Sequence, residues 1–223
     1  MIFRRAHWVF WGLIGICLSS YLHAKPLQVY APSSFVAWLA EHIAGDAVNV
    51  SANSQYAQSA DLRVFLDSVE ANPDIAKLPQ TVFLSDGLPA ISTPEGFPKS
   101  ATAENPNRWL HLEQVLFMAV GLSETLAEHL PEHADAFDEA RARFSKTIRL
   151  EDFQIKRRLQ ALEQSVALDK ETAQALFPLL SYYGIACTVD GSLKATFSIE
   201  QPQPGDSPEG IFVTITNQLL GQP

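Results

Sequence analysis

Residues Asn105 to Leu162 read NPNRWLHLEQVLFMAVGLSETLAEHLPEHADAFDEARARFSKTIRLEDFQIKRRLQAL. The run opens as a tight polar turn around Trp109 and continues as a helix from Leu112 to Leu130. Pro131 fits the first turn of a second helix, where its missing N–H costs nothing. From there Phe137, Phe144, Ile148, Ile155, Leu159, Leu162 and Val166 recur at helical spacing, and no Gly or Pro interrupts Glu132 to Lys170. Thirty or more residues at 1.5 Å each predict a rod of about 45–50 Å. A rod of that length runs along a molecule as its backbone. A free coiled-coil partner is the weaker reading, because the apolar stripe lacks a strict heptad.

Upstream of this run, Leu27–Tyr30 reads as a strand and Ala31-Pro32-Ser33-Ser34 as a turn into a helix, with Ser33 or Ser34 as N-cap. Phe35, Trp38, Leu39 and Ile43 keep helical spacing, Gly45 supplies the stop, and Val48–Val50 is a second strand. A β-α-β opening predicts a parallel α/β sheet. Leu62, Phe65, Leu66 and Val69 suggest a helix over Asp61–Glu70, broken by Asn72-Pro73, and Thr81–Leu84 a third strand. The connection from Ser85 to Asn107, with four prolines, is long enough to suggest a functional or disordered loop.

Downstream, Glu171–Tyr183 reads as a short helix that Pro178 kinks and Gly184 ends. Ile185–Val189 then pairs across the Asp190-Gly191 turn with Lys194–Glu200, and Ile211–Thr216 forms a last strand. The predicted fold class is α/β: a parallel-sheet N-terminal lobe over 25–131, a long linking helix over 132–168, and a reduced C-terminal α/β lobe over 169–223.

Residues 1–24, MIFRRAHWVFWGLIGICLSSYLHA, have the form of a secretory signal: Arg4 and Arg5, an apolar run from Trp8 to Leu18, and a Leu22-His23-Ala24 cleavage site. The apolar run is short for a membrane span, which needs roughly 20 residues. A retained anchor is the alternative, and Ile16 is bulky where lipidation at Cys17 would want a small residue. Cleavage would remove two arginines and no acid, taking the net charge from −9 to −11. That acidic balance argues against non-specific nucleic-acid binding and against docking on anionic lipid. Cys187 is then the lone cysteine, in an apolar setting that suits a core residue and leaves no internal disulfide or cysteine metal site.

Two segments resemble the zinc/manganese solute-binding proteins of ABC transporters, the TroA/ZnuA-like family. One is Pro26–Val50, whose LQVYAPSSFVAWLAEHIAGDAVNV is similar to the family's strand, loop, helix and AGD ending. The other is Asn105–Leu162, where Asn-Pro-Asn-Arg-Trp-Leu resembles Asp-Pro-His-x-Trp-Leu and the helix turn and rod follow. The resemblance implies two lobes joined by the rod, a periplasmic location, an inner-membrane ABC permease as partner, and Zn²⁺ or Mn²⁺ as the transported ligand. It implies no enzymatic activity. Such a cation is held by imidazole and carboxylate converging from both lobes.

The ligand positions depart from that pattern. The first falls near Asn53–Gln58, which includes Tyr56 but no histidine; the second falls on Asn107; the third falls near Ala173–Leu176. The resemblance therefore puts Tyr56, Asn107 and His111 in the cleft and leaves no metal ligand at the family's positions. Among the remaining histidines, His111 reads as a helix N-cap, His42 as a helix-flank residue, and His129/His133 as a pair separated by Pro131. Glu132, Asp135, Asp138 and Glu139 suit the positive end of the rod. Ser33-Ser34 could present hydroxyls to an anion, but capping is the simpler role. No G-x-S-x-G, His-Glu-x-x-His, Walker or dinucleotide motif is present. Two functions remain: a periplasmic solute-binding protein for a small cation or other small ligand, or a metal-site-deficient relative acting as a protein-interaction scaffold.

Overall fold

The structure is a computed structural model that describes residues 25–68, 70–88, 91, 107–159, 165–190 and 199–219. The signal-like segment 1–24, most of the 85–107 connection, and Lys194–Ser198 lie outside the described residues.

Strand β1 (Leu27–Tyr30) leads into helix α1 (Ser34–Ala44), and β2 (Val48–Ser51) returns parallel beside β1. Gly45, at φ 52°, ends α1 in a conformation that a β-carbon would strain. Strand β3 (Leu62–Phe65), the short helix α2 (Pro73–Ala76) and strand β4 (Thr81–Phe83) complete a four-stranded parallel sheet in the order β2-β1-β3-β4. Helix α3 (Leu112–His129) and the rod, α4 (Ala134–Leu159), form an antiparallel pair joined through the tight turn Pro131–His133. Strand β5 (Ser165–Leu168), helix α5 (Lys170–Tyr182) and strand β6 (Ala186–Val189) make a second, two-stranded parallel unit. Helix α6 (Ile211–Leu219) follows.

Three sequence expectations change. The segment predicted as a helix over Asp61–Glu70 contains strand β3. All four of its residues are buried, because β3 lies between β1 and β4 in a covered parallel sheet, where strands read as continuous runs without alternation. Arg63, in the middle of β3, is only 4% exposed. Its guanidinium donates to the carbonyls of Ala57, Gln58 and Pro79, so a charged side chain sits in a strand interior with its donors satisfied.

The rod is shorter than predicted. It ends at Leu159, about 39 Å at 1.5 Å per residue, and Ser165–Leu168 is strand rather than helix. Strand β6 pairs parallel with β5 along Ser165↔Ala186 to Leu168↔Val189, and most of the segment expected as its hairpin partner lies outside the described residues. Ile211–Thr216, a β-branched run, is helical. Its fate is set by packing: Phe212, Val213, Ile215 and Thr216 are buried, and tertiary burial overrides a weak propensity.

Gly184, at φ 66°, ends α5 as predicted, and the Ile185 N–H reaches back to the Leu180 carbonyl at 2.9 Å in the manner of a Schellman cap. Pro178 lies inside α5. Cys187 is buried, and burial pushes its thiol pKa up, as suits an inert core residue.

A continuous apolar core joins the two ends of the chain. It includes Phe35, Trp38 and Ile43 of α1, Leu110, Val115 and Leu122 around α3, Phe144, Ile148 and Ile155 of α4, and Phe177 and Phe212 of α5 and α6. The rod carries a carboxylate into this core. Glu151, 5% exposed, accepts the Gly210 N–H at 2.9 Å and the Val213 N–H at 3.1 Å. These are orphan donors of the first turn of α6, so one rod residue caps the last helix.

Candidate functional site

In an open parallel sheet, ligands bind outside the carboxyl ends of the strands where the strand order reverses. Here β1 connects outward to β2 and the chain then crosses to β3 on the other side of β1. The reversal lies between β1 and β3, so the crevice to inspect is formed by the residues after Tyr30 and after Phe65.

On the β1 side stand Ser33, Ser34 and the first turn of α1. Ser33 occupies the N-cap position but makes no capping bond with its own side chain, contrary to the sequence expectation. Instead the Oε1 of Gln201 accepts from Ser33 Oγ at 3.1 Å, Ser34 Oγ at 3.2 Å and Phe35 N at 3.3 Å. A carboxamide oxygen from the far end of the chain thus occupies the one point where two hydroxyls and a helix N–H converge. Its segment is tied down further: Trp38 Nε1 donates to the Asp206 carbonyl at 2.9 Å, and the Gly205 N–H donates to Glu41 Oε2 at 2.6 Å. On the β3 side, Glu70 accepts the Leu66 N–H at 3.1 Å, and the Glu70 N–H donates to Asp67 at 3.2 Å. Burial raises the Glu70 pKa, the Leu66 N–H works against that rise, and the Asp67 charge adds to it.

Aromatic contacts connect this crevice to the Trp turn. Phe35 lies 5.7 Å from Trp38 and 6.1 Å from Trp109 between ring centroids, and Trp109 lies 6.0 Å from Phe212. Asn107 joins this arrangement: its Oδ1 accepts the Trp109 indole N–H at 3.3 Å. His111 caps α3, with its Nδ1 accepting the Gln114 N–H at 3.4 Å, as its place in the sequence predicts. Its ring lies 4.9 Å from that of Tyr182. Burial lowers the His111 pKa, with Arg108 acting in the same direction against Glu113, which favours the neutral imidazole that an acceptor role requires.

Tyr56 is elsewhere. It is 57% exposed on the Ser54–Tyr56 turn and lines a cavity of about 470 Å³ with Lys25, Gln28, Asn49 and Ser51. A second cavity, about 500 Å³, lies between α3 and α4 and is lined by Leu116, Phe117, Val120, Ile148, Arg149 and Tyr182 among others. Neither cavity is lined by Asn107 or His111.

The other family positions and histidines have local roles. Asn53 caps its own turn through the Gln55 N–H at 3.0 Å, and Ala173 and Leu176 are buried in α5. His42 Nδ1 meets the Trp38 carbonyl at 2.8 Å, and His129 Nδ1 meets the Thr125 carbonyl at 2.9 Å. His133 stacks on Phe137 at 5.8 Å. His129 ends α3 while His133 lies in the following turn, so the pair does not share one helix face. Among the described residues, no group of three or more His, Cys, Asp or Glu side chains is placed to hold a metal ion.

Sequence reasoning missed Gln201, Glu151 and Arg63. Gln201 lies in a Pro/Gly-rich stretch that signals only a turn, and its bond spans 168 residues. It also missed Asp152, which accepts from Tyr183 Oη at 3.1 Å and from Lys156 Nζ at 2.8 Å. Burial, and then the Asp152 charge, push the neighbouring Tyr182 up to about 12.

No family model matches the chain, and no curated protein matches it. Solved structures do. A zinc-bound deletion mutant of ZnuA superposes with a TM-score of 0.59 at 16% identity, covering 77% of this chain and 73% of that one. A manganese-bound periplasmic metal binding protein from candidatus liberibacter asiaticus gives 0.56 at 19%, covering 72% and 67%. The Zn(II)-bound AdcAII variant of Streptococcus pneumoniae gives 0.56 at 15%, covering 74% and 69%. The chain has the fold of these proteins, a parallel α/β sheet with a long helix, at identities that speak to fold alone.

Proposed function

We propose that this chain is a periplasmic solute-binding-type protein of the metal ABC-transporter class, working with an inner-membrane permease and not acting as an enzyme. The fold supports this reading: the chain, with its β2-β1-β3-β4 parallel sheet and long helix α4, superposes on zinc- and manganese-bound proteins over about three quarters of its length. No helix among the described residues is long and apolar enough to cross a membrane, which fits a protein that meets its permease from outside the bilayer. The test is reconstitution. Added to vesicles holding a metal-transporting ABC permease with its ATPase, the protein raises ATP hydrolysis; an unchanged rate contradicts the proposal.

A second reading, a metal-site-deficient scaffold, is favoured by one observation. All four histidines beyond residue 24 are engaged in backbone bonds or ring contacts within their own helix, turn or neighbouring ring. Under it the chain keeps the class and its partner but does not hold Zn²⁺ or Mn²⁺ through the usual histidine set. Calorimetric titration tests this second reading: a binding isotherm with Zn²⁺ or Mn²⁺ removes it, whereas a flat titration with both ions leaves the first reading only with a solute other than these two.

A further inference from the structure

The rod divides the protein's charge. Between Arg141 and Arg158 lie seven cations and two carboxylates, a local +5 in a chain of net −9, which leaves −14 elsewhere. Neither carboxylate weakens the outer face. Glu151 is buried as the cap of α6, and Asp152 is bound to Lys156 and Tyr183. Helix α4 buries Phe144, Ile148, Glu151 and Ile155. Its opposite face therefore carries Arg143, Lys146, Leu150, Phe153 and Arg157, spaced alternately three and four apart on a single stripe, with exposed Arg149 and Lys156 alongside. At 1.5 Å per residue the stripe runs about 21 Å.

Two large apolar side chains stand in the middle of this stripe with more than half of their surface exposed: Leu150 is 55% exposed and Phe153 is 59% exposed. The Arg157 guanidinium sits 5.9 Å over the Phe153 ring. At the other end, Glu139 reaches Arg143 only at 3.7 Å, with both side chains more than 70% exposed, a weak pair. Arginine and lysine flanking Leu and Phe on one side of a helix is the pattern of a helix that lies in a lipid interface: apolar groups enter the headgroup boundary and cations meet phosphate.

We propose that the outer face of α4 docks the protein on an anionic phospholipid surface. The shape of the face decides the partner. It is a convex ridge, and a plane of phosphates offers acceptors along its whole length, with no need for matched spacing. The net acidity of the sequence, which averages over the chain, points the other way, but the structure gathers Arg143, Lys146, Arg149, Lys156 and Arg157 on the exposed side of α4. The remaining acidic surface would then turn away from the membrane, screened beyond roughly 8–10 Å of salt solution. The inference is independent of any cargo.

The test is co-sedimentation of the full chain with vesicles containing about 30 mol % phosphatidylglycerol in phosphatidylcholine, against phosphatidylcholine alone, at about 50 mM and about 500 mM salt. Residues 1–24 are common to all variants, so differences between variants isolate the stripe. Wild type binds the anionic vesicles more tightly than the neutral ones and loses that margin at high salt. The double variant Lys146→Glu/Arg149→Glu weakens binding by about tenfold or more, and Leu150→Ser/Phe153→Ser weakens it severalfold. Lys77→Glu/Lys170→Glu, an equal charge change at exposed sites away from the rod, leaves binding near wild type. Circular dichroism and melting temperature confirm that each variant is folded. Equal binding to the two vesicle types, or equal loss in the control variant, overturns the proposal. So does tight binding to poly-glutamate without vesicle binding, which would assign the face to an acidic protein.

Discussion

Removing the carboxylate of Glu151 is the perturbation that most directly probes how the two ends of this chain are joined. Glu151 is 5% exposed and spends its oxygens on the Gly210 and Val213 N–H groups at 2.9 and 3.1 Å. Hydrogen bonds to a charged acceptor contribute about 1.5–3 kcal/mol each, and loss of a helix cap alone costs roughly 0.5–2 kcal/mol. The two bonds act as a unit and are not additive, so Glu151→Ala is expected to cost about 3–4 kcal/mol. Glu151→Gln keeps one acceptor oxygen but turns an amide donor toward the second N–H, for about 2 kcal/mol. In a chain of this size 1 kcal/mol corresponds to about 2–4 °C, so Glu151→Ala should lower the melting temperature by about 6–16 °C. Urea unfolding followed by circular dichroism measures both variants. A cost below about 0.5 kcal/mol for each would refute the claim that the rod caps α6.

Arg63→Met keeps the apolar stem but orphans the carbonyls of Ala57, Gln58 and Pro79; it should cost about 3 kcal/mol by urea unfolding. Gln201→Ala removes the shared acceptor of Ser33, Ser34 and Phe35; a loss of about 1–2 kcal/mol is expected, with faster amide exchange in the first turn of α1. His111, whose folded pKa lies below its ordinary 6.5, contributes stability that is present above pH 6.5 and is lost as pH falls through the folded value. Unfolding measured from pH 7.5 to 5 should show a decline that His111→Asn reduces; an identical decline in both proteins contradicts this capping role.

The parts of the fold legible in the sequence are those written in local patterns. Phe35, Trp38 and Ile43 gave α1 its period, Gly45 and Gly184 gave two helix ends, and Pro131 gave the α3–α4 turn. What escaped is long-range. Leu62, Phe65 and Leu66 fit a helical period, but pairing with β1 and β4 makes Leu62–Phe65 a strand, and the β-branched run from Ile211 reads as a strand, whereas burial and a cap from Glu151, 62 residues from Val213, make it a helix. The crevice follows the same rule. His111 could be read as a cap from its place before Leu112, and Asn107 could be placed at the Trp109 turn. Gln201 could not be found, since its meeting with Ser33 depends on the path of the whole chain.

The central claim, a fold shared with zinc- and manganese-bound proteins in a chain whose histidines are committed elsewhere, is met most directly by melting the purified protein with and without Zn²⁺ and Mn²⁺ across a wide concentration range. The account predicts no saturable rise for either ion. A ligand present at 100 times its dissociation constant would add about 2.7 kcal/mol. A saturable stabilisation of that size, reversed by a chelator and carried by one ion per chain, would contradict it.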